Sequence, residues 1–180
     1  VTFKLIQGLM HLEDWSPDRI VRFSDSFLIM AAIATVADVV PLIGENRVLV
    51  RRGLEGLRNT RNPGLRALLE SAGLKPGDPL SASDVAFRIA PRINAAGRMG
   101  NARDVIQLFL TSDDSVARDI AAGLHELNSE RRLTGDTIAR DIVEKCSREP
   151  VTAEQAGLVF SAPGWHKGVV GIVASRVVEE

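Results

Sequence analysis

The chain has 180 residues, 45% hydrophobic and 25% charged, with a net charge of −1, the composition of an ordinary soluble globular protein holding one domain or a domain plus part of another. No positively charged, apolar leader opens it, its apolar run Phe27 to Val36 is too short to span a bilayer, and a single cysteine, Cys146, excludes an internal disulfide and fits a reducing cytoplasm. The charge balance neither favours nor excludes nucleic acid, since binding a polyanion needs only a local basic track.

The pattern is mostly helical. Thr2 to Met10 carries Phe3, Ile6, Leu9 and Met10 at helical spacing, and Ser16-Pro17 reads as an N-cap followed by proline at the first helical position. Phe27 to Val36, apolar on all sides, is read as a buried helix, with a buried strand as the alternative that periodicity alone leaves open. Asp38 to Glu45, with Pro41 and Gly44, is expected to be loop. Arg47 to Leu57 is amphipathic, with Val48, Leu54 and Leu57 inward and Arg47, Arg51 and Arg58 on an outer stripe. Asn62-Pro63 opens the next helix and Gly73 closes it. After the loop Lys75 to Pro79, a helix runs from Ser81 to Ile89, Ser81 and Asp84 having the spacing of a capping box. Pro91 is expected to break it, leaving Arg92 to Gly100 as an ordered turn.

From Ser112 the charges become dense. Thr111 and Asp114 offer a second capping box, and the chain reads as one long helix to about Glu149, or two with a kink near Gly135, closed by Pro150. Ala156 to Ser161 is the best strand candidate, followed by the loop Ala162 to Lys167 and a glycine-rich helix, Gly168 to Arg176, expected to continue to the last residue.

Three segments carry chemistry. In Ala34-Thr35-Val36-Ala37-Asp38-Val39-Val40-Pro41-Leu42 a carboxylate closes an apolar element; it suits a hard cation such as Mg²⁺ or Mn²⁺, or it simply caps the next turn. In Arg88-Ile89-Ala90-Pro91-Arg92-Ile93-Asn94-Ala95-Ala96-Gly97-Arg98-Met99-Gly100, three arginines flank a glycine-bearing turn. That is a phosphate grip or a solvated basic loop, and it is no P-loop, lacking Gly-Lys-Ser/Thr. In Gly164-Trp165-His166-Lys167-Gly168-Val169-Val170-Gly171-Ile172-Val173-Ala174-Ser175-Arg176 a glycine loop enters a helix N-terminus, an anion site or a tight packing turn; the glycine spacing is wrong for a dinucleotide fold. His11, His125 and His166 are too scattered for a structural zinc. The stripe Arg47, Arg51, Arg58 is either a DNA-following face or an ordinary solvated one.

In this order the three segments resemble the RecJ family of the DHH phosphoesterases. The likeness continues through Asn46-Arg47 to Gly53-Leu54, Pro63-Gly64-Leu65 with Leu68-Leu69, and Leu127-Asn128 with Glu130-Arg131-Arg132, so it covers essentially the whole chain. It implies two α/β domains joined by a long helix. Residues 1–111 would be the helix-rich C-terminal part of a DHH domain, 112–149 the connecting helix, and 150–180 the truncated start of the DHH-associated domain. It also implies stepwise 5′ to 3′ hydrolysis of single-stranded DNA by a two-metal Mn²⁺ or Mg²⁺ centre, in DNA repair and recombination, in the cytoplasm and away from membranes. Asp38 matches a metal ligand; Asn94, Arg98 and His166 would lie near the scissile phosphate; Arg92, Arg98, Trp165, His166, Lys167 and Gly168 would hold DNA.

An Asp-His-His motif is absent, the family's earlier aspartate motifs would precede Val1, and its late glycine-rich motif would follow Glu180. The resemblance therefore implies an internal fragment without a start methionine, inactive alone, with residues beyond about Pro150 poorly packed and Val169, Val170, Ile172 and Val173 unable to bury themselves. Two alternatives stand beside the exonuclease: a DHH phosphoesterase acting on short oligonucleotides or nucleotide phosphates, and an inactive replication scaffold. Single-strand-binding protein or helicase partners are not readable from the residues.

Overall fold

The computed structural model describes residues 1–75, 77–148, 155 and 157–179. About 75% of the chain is helical and the described residues contain no strand, so the helix-rich half of the α/β expectation is what this segment displays. The expected strand at Ala156 to Ser161 is corrected: Gly157 to Ser161 are irregular, without a ladder partner, and Ala156 lies outside the described residues. Pro150 lies outside them too.

The first helices follow from the sequence pattern. α1 (Thr2–Leu12) is followed by α2 (Pro17–Ala37), with Ser16 as N-cap and Pro17 in the first turn, where its missing N–H costs nothing. At 21 residues and mean hydropathy 1.7, α2 is long and apolar enough by length and composition to cross a membrane, a length the core run Phe27 to Val36 understates. Its face of Leu28, Ile29, Ala32, Ile33 and Val36 is buried, while Phe27 is exposed, so it is not apolar-packed on all sides. α3 (Gly44–Arg58) lies along α2 and begins inside the expected loop. Its inward residues are Val50, Gly53 and Leu57; Val48, expected inside, is exposed, because it lies off the stripe that repeats every three to four residues from Val50.

α4 (Pro63–Ser71) starts at Asn62, whose side chain accepts from Leu65 N at 2.9 Å and donates to Phe109 O at 2.9 Å. Gly64 allows α4 to touch the chain at Leu108: a Cβ there would overlap the Leu108 carbonyl. α5 (Ala82–Asp84) opens on the complete capping box of Ser81 and Asp84. A π turn over Val85–Ile89 then leads straight into α6 (Ala90–Met99). The expected break at Pro91 and turn from Arg92 to Gly100 are therefore corrected to a helix. The widened turn, closed by Ala90 N to Val85 O, makes Pro91 a first-turn residue of a new helical run, where it has no hydrogen bond to lose.

α7 (Arg103–Leu110) precedes α8 (Asp114–Arg148), one unbroken helix of 35 residues without a break at Gly135. Its cap is Asp113, not Thr111: Asp113 Oδ1 accepts from Ser115 N at 2.7 Å and Val116 N at 3.2 Å, while Thr111 Oγ1 accepts from Asp113 N. α9 (Lys167–Val177) ends before the described chain does, at the cap residue Val178.

Two apolar clusters result. The larger joins α2, α3, α4, the π turn, α6, α7 and the first half of α8 around Leu57, Leu68, Ile89, Leu108 and Leu124, each at most 1% exposed. The smaller packs Ile138, Ala139 and Ile142 of α8 on Val169 and Val173 of α9, with Met99, Phe160 and Trp165 at its edge. Val169 and Val173 thus bury themselves, contrary to expectation, because α8 presents an apolar stripe to them; Ile172 is half-buried and Val170 remains exposed.

Candidate functional site

The three arginines of the central motif separate into two roles. Arg88 Nε and Nη2 donate to Ala72 O at 3.1 and 2.8 Å, Nη2 also reaches Gly73 O at 2.9 Å, and Nη1 pairs with Asp84 Oδ1 at 3.2 Å. Arg92 donates to Arg88 O and to Ser71 O, and its Nη2 stands 3.0 Å from His125 Nδ1. Both guanidiniums thus occupy the carbonyls left open at the C-terminus of α4, where a cation also meets the negative end of the helix dipole. Arg92, expected to hold phosphate, has a structural task in its two carbonyl bonds.

Asn94 and Arg98, one turn apart on α6, are exposed, while Ala95 and Ala96 between them are fully buried. Arg98 Nη1 donates to Gly168 O at 3.3 Å across 70 residues of sequence. Gly168 meets the Arg98 backbone so closely that a Cβ would overlap its carbonyl. His166 is the N-cap of α9, its Nδ1 accepting from Gly168 N at 3.1 Å. That acceptor role puts the neutral ring's proton on Nε2. Lys167 is exposed on the first turn, and Trp165, half-buried in the smaller apolar cluster, has a buried Nε1 without a hydrogen-bond partner among the described residues. Lys145 Nζ lies 5.4 Å above its ring. Arg98, His166, Lys167 and Gly168 therefore share one place, at the positive end of α9.

Asp38 belongs to the end of α2. It is the exposed C-cap of α2 and lines a cavity of about 510 Å³ with Phe3, Lys4, Thr35, Glu45 and Asn46, which none of Asn94, Arg98 and His166 lines. Val39 after it has φ +55°, and Val40 N donates to Thr35 O at 3.1 Å, so α2 ends in a left-handed cap built on a β-branched residue. No three His, Cys, Asp or Glu side chains converge anywhere among the described residues. One carboxylate does not hold a Mn²⁺ or Mg²⁺ pair, which needs several oxygen ligands at one point, so these residues do not fit a complete metal centre.

Sequence reasoning gave no role to Arg131 and Arg132. Arg131 is half-buried and donates from Nη2 to Oδ1 of Asn128 at 3.2 Å; Asn128, 5% exposed, is the one buried polar side chain among the described residues. Burial first, then the charges of Arg98 and Arg132, hold the Arg131 guanidinium below its ordinary range, with Asp136 opposing. Arg92 is lowered likewise, by burial, then Arg88 and Arg132. The available signal was the i, i+3 spacing of Asn128 and Arg131 on a helix face otherwise apolar.

An arginine-bearing helix set against a glycine-opened helix N-terminus gathers the donor chemistry that an anion such as a phosphate requires. The chain is homologous to the RecJ single-stranded-DNA-specific exonucleases. It is 37% identical over 179 residues to RecJ of Bacillus subtilis strain 168, covering 99% of this chain and 21% of that protein. To RecJ of Thermus thermophilus it is 41% identical over 150 residues, covering 83% and 21%, and to that of Escherichia coli K12 37% over 173 residues, covering 93% and 30%. The crystal structure of Thermus thermophilus RecJ in complex with Mn²⁺ superposes with a TM-score of 0.83 at 37% identity, over 99% of this chain and 25% of that one; the complex with Mg²⁺ gives 0.82 at 36%, over 99% and 27%. No family model matches the chain. The chain thus spans between a fifth and a third of the length of these curated relatives.

Proposed function

We propose that this chain is a segment of a metal-dependent exonuclease that degrades single-stranded DNA, working 5′ to 3′. One observation carries the reading: Arg98 of α6 and the His166-Lys167-Gly168 start of α9, matched separately to the family, meet at 3.3 Å across 70 residues. Arg98 and Asn94 grip the scissile phosphate or its neighbour, the guanidinium fork supplying two parallel donors. His166 reaches the same phosphate from the facing side with Nε2–H, and the free N–H groups of α9 add the helix dipole. Asp38 supplies one ligand of a Mn²⁺ or Mg²⁺ site whose other ligands are not among the described residues. Residues 1–111, 112–149 and 150–180 correspond to the DHH domain part, the connecting helix and the start of a second α/β domain. The relatives' names and Mn²⁺- and Mg²⁺-bound structures support this reading.

The test is substrate choice by a full-length protein carrying this segment. With Mn²⁺ it is expected to shorten a 5′-phosphorylated single strand stepwise, to leave the blunt duplex of the same sequence intact, and to stop on chelation. Equal attack on both, or cleavage of dinucleotides alone, would replace the exonuclease reading.

A further inference from the structure

The guanidiniums extend well beyond Arg98. Arg92 of α6 and Arg131 of α8 are half-buried, and each has a fully buried Nε with no partner among the described residues. Arg132, exposed, stands in electrostatic reach of both, and Arg98 in reach of Arg131. Arg88, Arg92, Arg132, Arg131 and Arg98 therefore form a connected run of five cations leading to the start of α9. Few carboxylates answer them. Asp84 pairs with Arg88, and Asp136, the acid that faces Arg131, sits 2.6 Å from Arg176. Arg92, Arg98, Arg131 and Arg132 have no ion pair within the described structure. Three other acids of α8, Asp119, Glu126 and Glu130, line a separate groove with Asp104 of α7.

Like charges held together in partial burial raise the free energy of the protein alone and fall in free energy when an anion arrives. We propose that Arg131 and Arg132 form a second phosphate subsite on the connecting helix, which holds a backbone phosphate of the single strand away from the one gripped at Arg98. Asn128 orients Arg131 through its 3.2 Å bond, Arg92, in electrostatic reach of Arg132, is fixed by the Ser71 and Arg88 carbonyls, and Arg132 is the exposed member that first meets the strand. The subsite rests on the nuclease reading. It adds to that reading that the connecting helix is a contact surface for DNA as well as a strut.

The experiment uses a full-length protein carrying this segment, metal-free so that nothing is cut, and two probes: an oligothymidylate of roughly 12 nucleotides and a dinucleotide. Arg132→Gln is expected to weaken binding of the longer probe several-fold and to reduce the slope of log affinity against log salt by about 0.7, the value for one phosphate contact on a single strand. Dinucleotide binding, which needs only the Arg98 end, is expected to stay unchanged. Arg131→Gln should repeat the pattern; Arg132→Gln, at an exposed position, keeps the test valid if Arg131→Gln misfolds. Arg118→Gln removes an exposed charge from the same helix and serves as the control, with unchanged slope. If wild type binds the long probe and Arg132→Gln matches it in affinity and slope, the subsite is wrong and the nuclease reading stands. If Arg118→Gln shifts the slope as much as Arg132→Gln, the effect is diffuse charge and the subsite is again wrong. If wild type binds no single strand, both fall.

Discussion

Arg88 and Arg98 lie in one motif, yet their substitutions should separate cleanly. Arg88→Ala strips donors from Ala72 O and Gly73 O and is expected to cost about 1–3 kcal/mol of stability, read as a lower denaturant midpoint. Arg98→Lys keeps the charge, loses the fork, and is expected to leave that midpoint in place while weakening cleavage in the full-length protein roughly tenfold. Equal midpoints for Arg88→Ala and wild type would remove its capping role. Spacing could list these arginines together but could not sort them, because which guanidinium meets the end of α4 depends on a contact across the fold and on the π turn between Val85 and Ile89. Val39 escaped the reading for a similar reason. A left-handed helix cap usually announces itself as glycine, and here it is β-branched. Val39→Gly is accordingly expected to raise stability by about 1 kcal/mol in the same denaturation assay.

At the scale of elements, what was legible was local. The Asn62 cap and the Ser81–Asp84 capping box rest on bonds within a few residues, and both are present; the Ser16-Pro17 start is present too, held by the fixed φ of Pro17 and not by a side-chain cap bond from Ser16. Two features were not legible: the widened π turn at Val85–Ile89, which no residue pattern announces and which carries the helical run past Pro91, and the missing ladder partner of the strand expected at Ala156 to Ser161, which would have to come from elsewhere in the chain. The capping box gives a pH test. Hydrogen bonds from Ser81, side chain first and then backbone, with help from Arg88, hold the half-buried Asp84 carboxyl below its ordinary range against the opposing effect of burial. A carboxyl depressed by folding stabilises above its unfolded value of about 3.9 and loses that contribution as pH falls through its folded value. Ser81→Ala is expected to cost about 1 kcal/mol near neutral pH, and the difference from wild type should shrink below about pH 4. A mutant deficit that stays constant into acid would show that Asp84 draws nothing from Ser81.

The molecule as a whole is a large helical core and a smaller one joined by α8. Among the described residues the smaller core rests on five buried side chains, so the amides of α9 are expected to exchange with deuterium faster than those of α4, although Val169 and Val173 are as dry as the residues of the larger core. The same division explains why the site is partial. α6 and α9 bring Arg98 and the His166-Lys167-Gly168 start together, but the described residues offer no convergent set of metal ligands beside Asp38. The 180-residue chain alone is therefore expected to leave single-stranded DNA intact in Mn²⁺. The most direct measurement of the account is the rate at which a full-length protein carrying this segment shortens 5′-labelled single-stranded DNA in Mn²⁺, with Asp38 and with Asp38→Ala. The exposed position of Asp38 predicts a folded variant, and the loss of one metal ligand predicts a rate lower by roughly a hundredfold or more, about 3 kcal/mol of transition-state stabilisation. A folded Asp38→Ala variant that degrades the strand at the wild-type rate would contradict it.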